Sequence, residues 1–281
     1  MELHNSGAEI YVADGSSVDA ALERTTHMGV AAHQDDLEIM AYHGILECFG
    51  KPDKGFAGVT VTNGAGSPRD GLYERYSDGE MQVIRRKEQK KAACVGEYSA
   101  HVFLDYSSAA VKDPKDSPVA GDLKRIIAAA KPQVIYTHNL ADKHDTHVAV
   151  ALRVIQALRE LPADSRPQHL YGCEVWRNLD WLNDDDKVVF DVDGHENLAM
   201  SLVGLFDSQV AGGKRYDLAV MGRRRANATF LASHGVDKST SLIYAIDLTP
   251  LMDPKADVKE YALGYIDRFA KEVTGRLAKL I

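Results

Sequence analysis

The sequence predicts an α/β protein: a Rossmann-like, mainly parallel sheet with helices on both faces, followed by an irregular α+β extension. Three observations predict it. Short apolar or β-branched runs alternate with segments of helical periodicity through the first half of the chain, giving β-α-β-α-β-α-β-α. Two of these runs, Met28–Ala32 and Gln133–His138, stop abruptly in polar residues just before a helical pattern begins. No Pro/Gly-rich linker, internal repeat or low-complexity tract divides the 281 residues. One domain over 1–281 is therefore expected, with a core near 26–160 and a C-terminal part at 161–281.

Residues 1–25 are polar and weakly patterned, with a peripheral strand at Glu9–Val12. Met28–Ala32 reads as a buried strand ending in His33-Gln34-Asp35-Asp36, after which Leu37, Met40, Ala41, Gly44, Ile45 and Cys48 recur at helical spacing. Gly50–Gly55 is turn chemistry. Phe56–Thr62 is a second strand that opens onto Asn63–Pro68 and a loop at 67–79, a length that often signals function. Glu80–Gly96 is helical in composition, and its basic run Arg85–Lys91, interrupted by Glu88, reads as a solvated helix face. His101–Tyr106 is a third strand. A Pro/Asp/Ser-rich connection at 113–118, a helix at Leu123–Ala130 and a fourth strand at Gln133–His138 follow. Asn139–His147 then leads into Val148, Ala151, Leu152 and Ile155, again at helical spacing. Beyond lie short strands at 170–175, 188–192 and 242–248 and helices at 195–210 and 216–231. A last helix carries Ile266, Phe269, Ala270, Val273 and Leu277 on one face.

Composition bounds the function. With 45% hydrophobic and 26% charged residues, the chain resembles ordinary globular proteins. Its net charge of −8 argues against a nonspecific nucleic-acid or acidic-membrane binder. Cys48, Cys94 and Cys173 form no CxxC pair, and an odd count fits a reducing compartment. No window approaches a membrane span, and Met1–Ala8 lacks the basic and apolar regions of a leader. A cytoplasmic protein without membrane or nucleic-acid partners is expected.

In open α/β sheets, ligands bind in the crevice beyond the carboxyl ends of the strands. The first turn here holds a histidine and two acids rather than the glycines of a dinucleotide site. Alone, Asp35-Asp36 would read as an N-cap and a first-turn acid. His144 and His147, at the end of the fourth strand, place a second polar cluster at the same sheet edge. Histidine and carboxylate donors suit zinc, and catalytic zinc keeps three protein ligands and one open position. One histidine and one acid from the first turn, with one histidine from the second, would make such a site. These residues alone leave open a metal-dependent hydrolase of another bond, such as a phosphoester, or a metal-bound sugar-binding protein without turnover.

Over most of residues 28–160 the chain resembles the LmbE/PIG-L family of zinc-dependent de-N-acetylases. The resemblance is carried by Ala32-His33-Gln34-Asp35-Asp36, by Thr62-Asn63-Gly64, by Arg85, Glu88, Ala92 and Gly96 at the family's helix spacing, and by His144-Asp145-Thr146-His147. It implies His33, Asp36 and His147 as ligands of one zinc ion, or another divalent metal in its place. It implies Asp35 as general base, His144 as the neighbour that steadies the oxyanion or leaving group, and Arg69 as a substrate-binding arginine. The implied substrate is a small N-acetylated amino sugar or its conjugate, with acetate released. Homo-oligomers are common in the family. Three positions depart from its pattern: Gln34 and Asp145 each replace a proline, and Thr146 replaces an acid whose hydrogen bond Asp142 or Asp145 is left to supply. Outside the resemblance, Gly212–Asp217 and Gly222–Arg225 suggest either an anion site or internal salt bridges, and Trp176 and Trp181 either a sugar platform or packing.

Overall fold

In the computed structural model, which describes residues 1–115 and 118–281, the strands are β1 (Glu9–Tyr11), β2 (His27–Ala31), β3 (Phe56–Thr62), β4 (Ala100–Tyr106), β5 (Val134–His138), β6 (His169–Cys173), β7 (Val188–Asp191) and β8 (Leu242–Asp247). The helices are α1 (Val18–Glu23), α2 (Asp36–Met40), α3 (Tyr42–Cys48), α4 (Asp78–Val95), α5 (Ser108–Lys112), α6 (Pro118–Ala130), α7 (Asp145–Arg159), α8 (Glu196–Gly204), α9 (Asp207–Val210), α10 (Tyr216–Phe230) and α11 (Val258–Leu280). Of the connection expected at 113–118, residues 116 and 117 lie outside the described residues.

All eight strands join one mixed sheet in the order β1-β4-β3-β2-β5-β6-β8-β7. The central β4, β3, β2, β5 and β6 are mutually parallel. β1 adds antiparallel at one edge, and β8 runs antiparallel to both β6 and β7 at the other. From β2 the chain builds outward through β3 and β4, then returns to lay β5 on the opposite side of β2. The strand order thus reverses between β2 and β5. The loops leaving those two strands diverge there and open a crevice. β6, β8 and β7 carry the sheet on into the C-terminal part.

Every residue of β2 and β3 is buried, as expected of parallel strands covered on both faces. Met28 and Val30 share one core with Val59, Ile126, Val150 and Val154. On the opposite face Leu37, Met40 and Ile45 pack with Phe56, Tyr98 and Tyr136. Gly29 and Gly58 set how close α2 lies to the sheet. A Cβ at Gly29 would stand 2.6 Å from Leu37 Cδ2, and one at Gly58 would stand 2.8 Å from Leu37 Cδ1. The absence of those two methyl groups lets Leu37 rest on bare backbone, which holds the preceding turn at the strand end.

The helical pattern at 37–48 is two helices, α2 and α3, separated at Ala41. The segment expected as one helix at 195–210 is likewise α8 and α9, and α6 starts earlier than expected, at Pro118. The apolar residues of the last helix do not face the core: Ile266, Phe269, Val273 and Leu277 are 37% to 53% exposed. Tyr265, with Tyr261 and Val258, docks α11 instead. Among the described residues, no helix is long and apolar enough to cross a membrane.

Candidate active site

The loop after β2 and the loop after β5 face each other across the crevice, and three donor atoms converge between them. His33 Nδ1 lies 3.2 Å from Asp36 Oδ2 and 3.2 Å from His147 Nε2. His147 Nε2 lies 3.3 Å from Asp36 Oδ2. This near-equilateral triangle fits a metal ion. Ligands bound tetrahedrally at about 2.0–2.1 Å stand roughly 3.3 Å apart. The electrostatics agree. Burial holds the His33 imidazole down at about 4, so at neutral pH its ring is uncharged and can offer a lone pair. Burial opposes the charge on Asp36, but His147, His138 and His33 outweigh it and hold the carboxyl far below its ordinary range. Two imidazoles and a carboxylate are a donor set suited to zinc.

Asp35 stands at the N-cap of α2 and Asp36 in its first turn, but neither side chain caps the helix. Asp35 makes no side-chain cap bond, and Asp36 Oδ2 accepts the His33 backbone N–H at 2.8 Å. Asp35 has φ 89°, a left-handed conformation rare outside glycine and of a kind concentrated at functional sites. Its N–H donates to Gln89 Oε1 at 3.2 Å, and Gln89 in turn donates to the buried Glu38 at 2.7 Å. Arg85 Nη2 donates to Gln34 O at 2.7 Å and approaches Asp35 Oδ2 at 3.3 Å. Burial pushes the Asp35 carboxyl well above its ordinary range, with the Arg85 guanidinium pulling the other way. Gln34 has a packing role in the turn. It is buried against Gly64 (φ 79°), where a Cβ would stand 2.5 Å from Gln34 Oε1.

The second loop supplies His144 and His147 and their support. Asp142 Oδ1 accepts the His144 N–H at 2.9 Å, and its Oδ2 accepts the Trp176 N–H at 3.0 Å. Oδ2 also faces His147 Nδ1 at 3.7 Å, too far for a formed hydrogen bond but on the side of the ring away from the donor triangle. Of Asp142 and Asp145, it is Asp142, before His144 in sequence, that is aimed at His147. Thr146 is buried and lines the cavity. His144, in edge contact with His33 at 5.0 Å, is pushed below its ordinary value by burial and by His147. His138, at the end of β5, stacks on His147 at 3.8 Å. Its Nε2 accepts the Ala32 N–H at 2.9 Å, so that lone pair is not free for a metal although Asp36 Oδ2 is only 3.5 Å away.

A cavity of about 260 Å³ opens over these groups. His33, Asp35, Asp36 and His144 form its floor with Arg85, and Gly64–Pro68, Lys112, Gln209, Trp176 and Tyr216 complete its walls. Trp176 and Tyr216 meet edge to face at 6.1 Å, and Lys214 Nζ lies over the Trp176 ring at 4.9 Å. The reading of 85–91 as a solvated face misses Arg85 and Gln89. Both are buried on one side of α4 with Met81, and that i, i+4 stripe was the available signal. Arg69 lies outside the cavity wall. It donates to Tyr76 O at 2.9 Å and Ala65 O at 2.8 Å and pairs with Asp78. Trp181 packs toward Phe269 rather than the cavity. The two basic motifs form internal contacts: Arg215 with Asp217, Arg225 with Glu196, and Arg223 with Val175 O. Arg224 is buried over the Tyr42 ring and donates to Glu38 O at 2.8 Å, clasping the end of α2.

Solved structures share this fold. The N,N'-diacetylchitobiose deacetylase of Pyrococcus horikoshii, complexed with an inhibitor, is 16% identical over 87% of this chain and 92% of that one, with a TM-score of 0.62. A conserved protein of Thermus thermophilus is 15% identical over 79% and 94%, with a TM-score of 0.61. The 4-carboxy-2-hydroxymuconate hydratase of Pseudomonas putida is 15% identical over 83% and 98%, with a TM-score of 0.60. At such identities the likeness is one of fold. No curated protein sequence matches the chain. Residues 28–158 do match the family described as PIG-L, GlcNAc-PI de-N-acetylase.

Proposed function

We propose that the protein is a metal-dependent hydrolase that removes the N-acetyl group from an amino sugar or its conjugate and releases acetate. One observation carries the reading: His33 Nδ1, Asp36 Oδ2 and His147 Nε2 converge within 3.2–3.3 Å beside a cavity that His33 and Asp36 line together with Asp35. These three residues would hold a single divalent ion, zinc by the character of the donors. Bound there, such an ion would supply Lewis acidity, polarising an acetamide carbonyl and making water more acidic.

The chain's own groups account for the remaining steps. Asp35 takes the proton from the attacking water and returns it to the departing amine, a role favoured by a carboxyl whose pKa burial has raised. Arg85 opposes that burial by favouring the ionised carboxylate, and fixes its orientation. His144, neutral at working pH, offers a ring N–H to the developing oxyanion. Trp176 and Tyr216 present the apolar surface that a sugar ring can lie against. Arg69 serves substrate binding at one remove, by fastening the loop whose residues Gly64–Pro68 line the cavity. The deacetylase of like fold and the family match support an amide of an amino sugar as the bond cleaved.

Since a hydratase shares the fold, acetate release is the deciding readout. The experiment measures metal content and then screens acetate and free amine across N-acetylated hexosamines and their conjugates. About one metal per chain, with acetate and amine formed in equal amounts on part of the panel, is expected. A fully metallated protein that releases no acetate from any member would overturn the proposal.

A further inference from the structure

Helix α11 carries two apolar faces, and its own chain uses one of them. Val258, Tyr261 and Tyr265 pack on the core, and the Tyr261 hydroxyl donates to Asp247 O at 2.6 Å. Phe269 meets Trp181 edge to face, and Arg268 pairs with Asp186 at 2.8 Å. The other face consists of Leu263, Ile266, Ala270, Val273, Leu277 and Leu280. Its large members are 40% to 80% exposed, and every residue from Ile266 to Leu280 is exposed.

Successive spacings of three, four, three, four and three residues make this face an a/d seam. That pattern is narrower than the stripe of a helix lying on a globular core, and it is the repeat by which two helices wind together. Propensity alone is a poor reason for the exposed half to stay helical. Isolated helices of this length are marginal in water, and Gly275 weakens this one further.

We propose that the seam is the contact by which two copies of this chain associate. A uniform apolar seam is complementary to itself across a two-fold axis. Phe269 and Arg276 flank it on one side and Asp267 and Thr274 on the other, so pairing in either orientation opposes no like charges. Arg276 is already neutralised by Glu272 and Arg268 by Asp186, which leaves little free positive charge to favour an anionic membrane. The seam is about 27 Å long at 1.5 Å per residue, and covering half of a helix about 10 Å wide buries roughly 400 Å² per copy. A standard stable interface buries about 800 Å² per partner. The pair therefore belongs to the weaker class that dissociates on dilution.

Sedimentation velocity from about 1 μM to about 100 μM tests this. Wild type is expected to pass from monomer to dimer across the range. The double variant Val273→Asp/Leu277→Asp should stay monomeric with unchanged melting temperature and metal content, because both sites are exposed. Lys271→Glu, off the seam, should dimerise as wild type does. A wild type that is monomeric throughout would overturn the proposal, as would a double variant that associates normally. A monomeric wild type that co-sediments with anionic vesicles would assign the face to a membrane and overturn it equally.

Discussion

Replacing Arg85 with methionine tests how the proton acceptor is tuned. The guanidinium stands 3.3 Å from Asp35 Oδ2, with both side chains nearly inaccessible to solvent. An arginine beside an aspartate favours the charged form and lowers its pKa by about 1–3 units. At this somewhat long separation the low end applies, about one unit or roughly 1.4 kcal/mol. The sign follows from the roles. Asp35 accepts a proton only when ionised, so kcat/KM must fall as pH drops through its pKa. Burial already places that acidic limb above the ordinary carboxylate range. Without Arg85 the limb should move up by about one unit, with activity down about tenfold below it and much less above. The assay is acetate release as a function of pH, with metal content measured at each point. Methionine also leaves Gln34 O without its 2.7 Å donor, and the metal content reports whether the turn has shifted. An acidic limb at the wild-type pH, in a variant that keeps its fold and metal, would refute the reasoning.

Further predictions concern the ligands, the packing of α2 and the clasp that holds it. Asp36→Ala and His147→Ala should each lose nearly all bound metal under dialysis that leaves wild type about stoichiometric, and retention by both would exclude the donor triangle. Gly29→Ala should cost about 1–3 kcal/mol in urea unfolding, because its methyl would sit 2.6 Å from Leu37 Cδ2; an unchanged midpoint would show that α2 is not wedged there. Arg224→Met removes the donor to Glu38 O and should destabilise the fold by about 1–3 kcal/mol while also weakening metal retention; a stability loss alone would detach Arg224 from the site.

Much of the fold was legible because its strands are covered on both faces. The run Met28–Ala32 is apolar throughout since nothing in β2 meets water, and the switch to helical spacing at Leu37 marks where the chain turns back over the sheet. The placing of His33, Asp35, Asp36, His144 and His147 at one sheet edge followed from their position after β2 and β5. What sequence could not supply was the strand order that makes those two neighbours. Arg85 was hidden for another reason. In a run with Arg86, Lys87, Lys90 and Lys91, only its alignment with Met81 and Gln89 distinguishes it as inward-facing. Arg86 and Lys90, on the adjacent side, pair with Glu9 of the edge strand. Asp142 and Trp176 were both visible as candidates, but the Asp142 carboxylate accepts the Trp176 N–H across 34 positions, and no local pattern reports such a contact. The apolar stripe of α11 was legible as a stripe, but sequence could not report that the chain's own core leaves Ile266, Val273 and Leu277 exposed.

The central claim is that Asp35 moves the proton while His33, Asp36 and His147 hold the metal. Comparing wild type with Asp35→Asn, each assayed for metal content and for acetate release on the same N-acetylated amino sugar, tests it most directly. The account predicts equal metal in the two proteins and a turnover about 10²–10⁴-fold lower in the variant. Turnover at the wild-type rate with the metal in place would contradict it.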